Sequence, residues 1–212
     1  MFVELIEVLR CPRLHEEAQL VASATRTESR HIVDGVLGCP VCGAEFTIDN
    51  GVAHFGEPAR QATLDVPDAD AAMRLAAFLA LSDTGAFTFL CGRWTTQAAG
   101  IRRLTDAQLV LVNPPSDVQG DIAAGIIITR DAMPFAPGAA GAAALDDNTS
   151  TDLVRSTIRA VRAGGRVLGP ATLALPGDVT ELVCDERMWV AEKNAAPEDP
   201  TPRLVSIRKA SR

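Results

Sequence analysis

The cysteines are the residues here whose type and spacing most clearly allow chemistry. Gly38-Cys39-Pro40-Val41-Cys42-Gly43 carries a Cys-x-x-Cys pair with a glycine directly behind it. Such a turn aims two thiolates at one tetrahedral ion, and the glycine relieves crowding as the chain doubles back. A second half of the same pattern lies upstream in Leu9-Arg10-Cys11-Pro12-Arg13-Leu14. Leu14 stands where a fourth cysteine would complete the set, and it cannot ligate. His15 lies one residue further on, and a Cys3His zinc site is chemically ordinary. Three states therefore stay open: zinc held by Cys11, His15, Cys39 and Cys42; zinc without His15; and a metal-free loop pair. His31 and His54 are read as solvated or satisfied histidines.

Other catalytic constellations are missing from the sequence. No histidine sits near a candidate nucleophile, and neither a Gly-x-Ser-x-Gly elbow nor a phosphate-cradling P-loop is present. Asp146 and Asp147 are adjacent, so in a strand they point to opposite faces rather than pairing. One of them is expected to face a crevice and the other to cap the following loop. Cys91 and Cys184 lie in apolar, strand-like contexts and read as core thiols.

These residues must be carried by elements that the pattern also marks. The 212-residue chain is 47% hydrophobic, enough for one sizeable domain and a small one. Its net charge is −7, divided as −4 over residues 1–60 and −3 over 61–212. Neither part has a basic surplus for phosphates, which argues against nucleic acid as a partner. Arg102-Arg103 reads as a solvated helix face. The N-terminus lacks the basic flank of a secretory signal, and no apolar run reaches the ~18 residues of a membrane span. Five cysteines, two of them in Cys-x-x-Cys, suit a reducing cytoplasm.

Residues 1–57 read as a β-rich module. Val3 to Leu9 has helical spacing. Gln19 to Ala22, Ser29 to Val33 and Glu45 to Ile48 read as strands, with tight turns at Asp34-Gly35 and Asp49-Asn50-Gly51. A Pro-bounded linker covers 58–67. From Asp68 to 212, helices alternate with strands, which implies a parallel sheet. Helices are expected at Asp68 to Leu81, Thr95 to Leu104 and Thr151 to Arg162. Strands are expected at Phe87 to Leu90, Gln108 to Val112, Gly125 to Thr129, Gly141 to Leu145 and Arg166 to Leu168. A closing hairpin joins Met188–Ala191 to Arg203–Ile207, and the Ala-Gly-rich stretch 136–144 reads as a loose loop.

Two resemblances follow. Residues 1–57 resemble the zinc-ribbon family that includes the tRNA methyltransferase activator subunit. The likeness rests on Leu9-Arg10-Cys11-Pro12, Leu37-Gly38-Cys39-Pro40-Val41-Cys42-Gly43, Phe46, Ile48, Gly51 and Val52. It implies metal-binding roles for Cys11, Cys39 and Cys42. Residues 68–212 resemble a class I S-adenosylmethionine-dependent methyltransferase domain. That likeness rests on Asp131-Ala132-Met133-Pro134-Phe135 after the third strand and on the helix, Gly164-Gly165 turn and fifth strand that end at Leu168.

The fold these resemblances imply is α/β: a Rossmann-like methyltransferase fold, mostly parallel with a C-terminal antiparallel hairpin, plus a small zinc-ribbon-like module. The second resemblance also implies cofactor positions at Gly92, Asn113 and Asp131. The chain departs from the family there. Arg93 and Trp94 stand where a glycine-rich loop would approach the cofactor, and Asn113 stands where a ribose-binding carboxylate is expected. Asn113-Pro114-Pro115-Ser116 also resembles the catalytic loop of amino-group methyltransferases, but it lacks the aromatic and follows the second strand instead of the fourth.

Three functions fit this reading. The first is a pseudo-methyltransferase with an activator-like ribbon fused in cis, acting by protein contacts or by binding a small ligand. The second is an active methyltransferase with a divergent cofactor loop. The third is an unrelated metabolite-binding protein on the same scaffold. The implied cofactors are zinc and, against the departures above, S-adenosylmethionine. The implied partner is another protein or the chain's own second domain.

Overall fold

The structure, a computed structural model, describes residues 1–58, 62, 68–81, 85–116 and 125–195. A short helix α1, Leu5–Val8, leads into four antiparallel strands: β1 Val21–Glu28, β2 His31–Gly38, β3 Glu45–Asp49 and β4 Val52–His54. The remaining elements are α2 Ala69–Phe78, β5 Phe87–Cys91, a 3-10 turn over Gly92–Gln97, α3 Ala98–Arg102, β6 Gln108–Val112, β7 Gly125–Ile128, β8 Ala140–Ala144, α4 Thr151–Ala160, β9 Val161–Pro170, β10 Val179–Cys184 and β11 Met188–Lys193.

All eleven strands form one sheet in the order β1-β2-β3-β4-β7-β6-β5-β8-β9-β11-β10. From β4 to β9 the neighbours run parallel, so the centre is a parallel sheet with antiparallel flanks. The two expected modules meet through this sheet: Val52, Ala53 and His54 pair with Ile126, Ile127 and Ile128. The order reverses between β5 and β8. That is the switch point of a doubly wound fold, where ligands sit beyond the carboxyl ends of the strands.

Burial on both sheet faces explains the continuous apolar strands. In β6, Val110 and Val112 face one core cluster and Leu109 and Leu111 the other. One cluster joins Leu5, Leu9, Leu37 and Ile48 to Phe89 and Phe135, the last two rings 4.7 Å apart. The other packs Leu75 of α2 and Ile101 of α3 on the opposite face. The helix starts follow their capping residues. Asp68 accepts from Asp70 N at 3.0 Å, and Ser150 Oγ accepts from Leu153 N at 3.2 Å.

Several expected elements differ. Asp34-Gly35 lies inside β2, and the β1–β2 turn is at Ser29-Arg30, with Ser29 at φ +54°. The hydrophobic pattern marks both flanks but not the turn, because Ser29 gives no glycine signal. The stretch 136–144 is not all loop. Its alanines form buried β8, whose small side chains suit a central strand covered on both faces. The closing hairpin is β10–β11, and Met188–Lys193 pairs with the segment before it. The strand expected at Arg203–Ile207 lies outside the described residues, as does most of the 58–67 linker. Cys91 is buried as expected, whereas Cys184 is exposed at the end of an edge strand. Among the described residues no helix is long and apolar enough to cross a membrane.

Candidate metal centre and switch-point crevice

Two short loops build the cysteine site. The first leaves the Arg10–Gln19 bridge, and Cys11 N donates to Ala18 O at 2.9 Å. This closes residues 11–18 into a compact excursion. Leu14 stands fully in solvent and His15 turns inward. The second loop follows β2. Cys39 N donates to Ala44 O at 2.8 Å and Gly43 N to Cys39 O at 3.0 Å. Gly43 takes φ +67°, which its missing Cβ permits.

The ligand atoms of Cys11, His15, Cys39 and Cys42 all lie within 4.8 Å of one another. Cys11 Sγ and Cys42 Sγ are 3.8 Å apart, and Cys39 Sγ lies 3.5 Å from His15 Nε2. Tetrahedral zinc with sulfur at about 2.3 Å and nitrogen at about 2.0 Å sets its ligands about 3.8 Å (S···S) and about 3.5 Å (S···N) apart. These two separations match a tetrahedral ion, and the four residues, all within 4.8 Å, could hold zinc. His15 Nδ1 is 2.5 Å from Glu16 O. A carbonyl only accepts, so Nδ1 carries the proton and Nε2 presents its lone pair to the site.

Electrostatics at the site are uneven. Burial pushes the Cys11 thiol up to about 11, and the neighbouring cysteines add to the rise. Burial also opposes ionisation of Cys39. The N–H groups of Cys42 and Val41, with the adjacent thiols, outweigh it and hold Cys39 down at about 6. The Cys39 thiolate is thus preformed, whereas Cys11 would have to lose its proton on metal binding.

The crevice at the switch point has been filled differently. Gly92 follows β5 at φ +56°, and a Cβ there would come within 2.0 Å of Asp146 Oδ2. Asp146 is buried. It accepts from Arg93 N at 3.0 Å and from Asn148 N. Burial of Cys91 pushes its thiol above the usual range, and the charge of the nearby Asp146 adds to the rise. The cavity beside Gly92 and Asn113 has a volume of about 20 Å³, room for about one water.

Asn113 also differs from its expected role. It stands at φ +50°, with Nδ2 donating to Thr129 O and Oδ1 accepting from Thr129 N, both at 2.8 Å. The amide thus continues the β6–β7 pairing past the strand ends. Asp131 is exposed, accepts from Ser150 Oγ at 3.1 Å, and is not among the described residues lining the cavity. Gly92 and Asn113 therefore come together and Asp131 stays apart.

Arg93 and Trp94 do not fill this crevice. Trp94 Nε1 donates to Leu145 O at 2.9 Å, and both residues line a separate cavity of about 520 Å³. Little in the sequence pattern marks that cavity. Its signal was Arg74, the one charge inside the apolar run of α2.

No family model matches this chain, and no curated protein does. Its structural neighbours include the geranyl diphosphate C-methyltransferase from Streptomyces coelicolor A3(2), solved with Mg2+, geranyl diphosphate and S-adenosyl-L-homocysteine. That match has 18% identity and a TM-score of 0.38, and covers 47% of this chain and 44% of that one. The [4+2]-cyclase SpnF matches at 17% identity and a TM-score of 0.37, covering 54% and 52%. A protein from Escherichia coli assigned as a methyltransferase, yhhF, matches at 14% identity and a TM-score of 0.43, covering 66% and 97%. The chain spans about half or less of the length of the first two. None of these likenesses carries a ligand, substrate or reaction to this chain.

Proposed function

We propose that this chain is a pseudo-methyltransferase: a methyltransferase-like sheet that binds without methyl transfer, closed at one end by a structural zinc centre. The carrying observation is the placement of Asp146. Its side chain occupies the space over Gly92 and accepts the Arg93 N–H. These are the space and the backbone donor that a cofactor at the switch point would use. Asn113 has both ends of its amide bonded to Thr129, so turning it toward a ribose would break those bonds.

Zinc would be held by Cys11, His15, Cys39 and Cys42. Four protein ligands leave no open position, so its contribution is structural: it fastens the loop of residues 11–18 to the turn after β2. Cys11 N lies one residue past Arg10, whose N–H donates to Pro134 O at 2.9 Å. The metal thus also steadies the segment after β7. Fusion of the two modules keeps their contact at high effective concentration.

Calorimetric titration with S-adenosylmethionine and S-adenosylhomocysteine tests the reading. No binding tighter than about 100 μM, or −5.5 kcal/mol, is expected. Tight binding with Asp146 displaced would make the divergent-enzyme reading the better one.

A further inference from the structure

The cavity of about 520 Å³ lies beside Trp94 and shares none of its described lining with the small crevice at Gly92. Its size is that of a small-molecule site. Its wall is divided by chemistry. Leu75 and Phe78 of α2, Leu168 of β9, Met188 of β11 and Trp94 supply an apolar and aromatic side. Among the described lining residues, Arg74, Arg93 and Arg187 supply three guanidinium groups against a single carboxylate, Asp147. In a chain of net charge −7 this is a local reversal of sign.

The arginines are only loosely engaged. Arg74 reaches Asp68 at 3.6 Å with both side chains more than half exposed, and Arg93 reaches Asp147 at 3.4 Å. Arg93 Nε is buried and has no partner among the described residues. The Arg93 guanidinium lies 5.0 Å from the Trp94 ring centre, and Trp94 is fixed by its bond to Leu145 O. Asp147 is also occupied in part, accepting from Thr172 Oγ1 at 2.9 Å.

We infer that this cavity binds a small aromatic oxyanion, with its flat apolar body against Trp94 and Phe78 and its carboxylate or phosphate facing Arg74, Arg93 and Arg187. Arginine forks suit planar or tetrahedral oxyanions, and a partly buried setting strengthens such bonds over those in water. The inference goes beyond the proposed function and does not depend on it, because it needs neither an open nor a closed crevice at Gly92.

The test uses the full chain and four probes in calorimetry: 1-naphthyl phosphate, 1-naphthoate, 1-naphthalenemethanol and inorganic phosphate. At least one aryl anion is expected to bind below about 100 μM. It should bind tenfold or more tighter than the alcohol and than inorganic phosphate, and the better of the two anions tells phosphate from carboxylate. Arg74→Gln with Arg187→Gln, both at exposed positions, should weaken that binding by about tenfold or more. Binding should quench tryptophan emission in the wild type and lose the quench in Trp94→Phe, since Trp189 is buried against β9. Millimolar binding of every probe, equal binding of the alcohol, or unchanged binding by the double arginine variant would each overturn the inference.

Discussion

The cysteine site and the switch-point crevice are both made from loops that leave strand ends, yet they treat their polar groups in opposite ways. At the first, four donor atoms converge within 4.8 Å, and the one ring nitrogen not needed is tied to Glu16 O. At the second, the buried Asp146 carboxylate accepts the Arg93 N–H, and the Asn113 amide pairs with the backbone of Thr129. Buried polar groups need partners. Where the chain supplies those partners, an outside group has nothing to bind. Where it leaves like groups crowded together, as with three thiols, a cation is the group that resolves the crowding.

The largest expected effect comes from breaking the first region. Chelation, or Cys39→Ser, should take zinc from near one per chain to near zero, by elemental analysis. Metal held a thousandfold above its Kd contributes about 4 kcal/mol of stability, so denaturation should show a loss of that order. Acid should act the same way. Cys39, held at about 6, is already ionised near neutrality, while Cys11, pushed up to about 11, must give up a proton to the metal. Zinc affinity should therefore rise with pH, and fall about tenfold or more per unit as pH drops from 8 to 7, by chelator competition. A pH-independent affinity would mean Cys11 is not a ligand.

Next comes the second region. Asp146→Ala removes the acceptor of two backbone N–H groups at a buried position. Two such bonds at about 1.5 kcal/mol or more each predict a loss of roughly 3 kcal/mol in urea denaturation. If the comparison is sound, this variant opens space over Gly92 without restoring a ribose acceptor. Calorimetry should still show no tight S-adenosylmethionine binding.

The same contrast governs what could be read in advance. The parallel strands were legible because burial on both faces writes uninterrupted apolar runs, as in Leu109 to Val112. The cysteine cluster was legible because Cys-x-x-Cys spacing is local. The one-residue shift to His15 could be weighed on spacing alone, and the structure brings His15 to the cysteines. What escaped was set by long-range partners. Nothing near Asn113 announces Thr129, and nothing near Arg93 announces that Asp146 would take the crevice while Arg93 turns to the larger cavity. The strand β4, three residues long, carries too little pattern to show that it would join two modules through β7. The Ser29 turn was missed because a serine at positive φ looks like any surface serine.

A smaller effect is expected at Asn113, and it runs against a simple reading of the sequence. Restoring the ribose-binding charge with Asn113→Asp looks like a gain of function. In this structure Nδ2 donates to Thr129 O, and a carboxylate there would face that carbonyl with no proton between them. One bond is lost and a repulsion replaces it, about 1–2 kcal/mol of destabilisation, with no gain in cofactor binding. Denaturant midpoints and calorimetry on the one variant read both halves of this outcome.

The smallest effect is expected at Leu14, and it sharpens the metal side most finely. A cysteine at this position would complete the four-thiolate pattern that the sequence otherwise approaches. The side chain, however, is fully exposed on the outer side of the 11–18 loop, while His15 is the residue turned in. The loop is closed by the Cys11–Ala18 hydrogen bond and the Arg10–Gln19 bridge, so swapping the two positions would require the backbone between them to rotate. Leu14→Cys should therefore change stability by less than about 0.5 kcal/mol, as at other exposed sites. Cobalt substitution gives the decisive readout. Charge-transfer intensity from thiolates should stay at the three-sulfur level in Leu14→Cys and match the wild type. In His15→Ala the metal should bind more weakly, with the same three sulfurs. If Leu14→Cys instead shows a fourth thiolate band, the loop exchanges registers easily. The convergence of His15 with the three cysteines would then be one of two arrangements rather than the one the chain enforces.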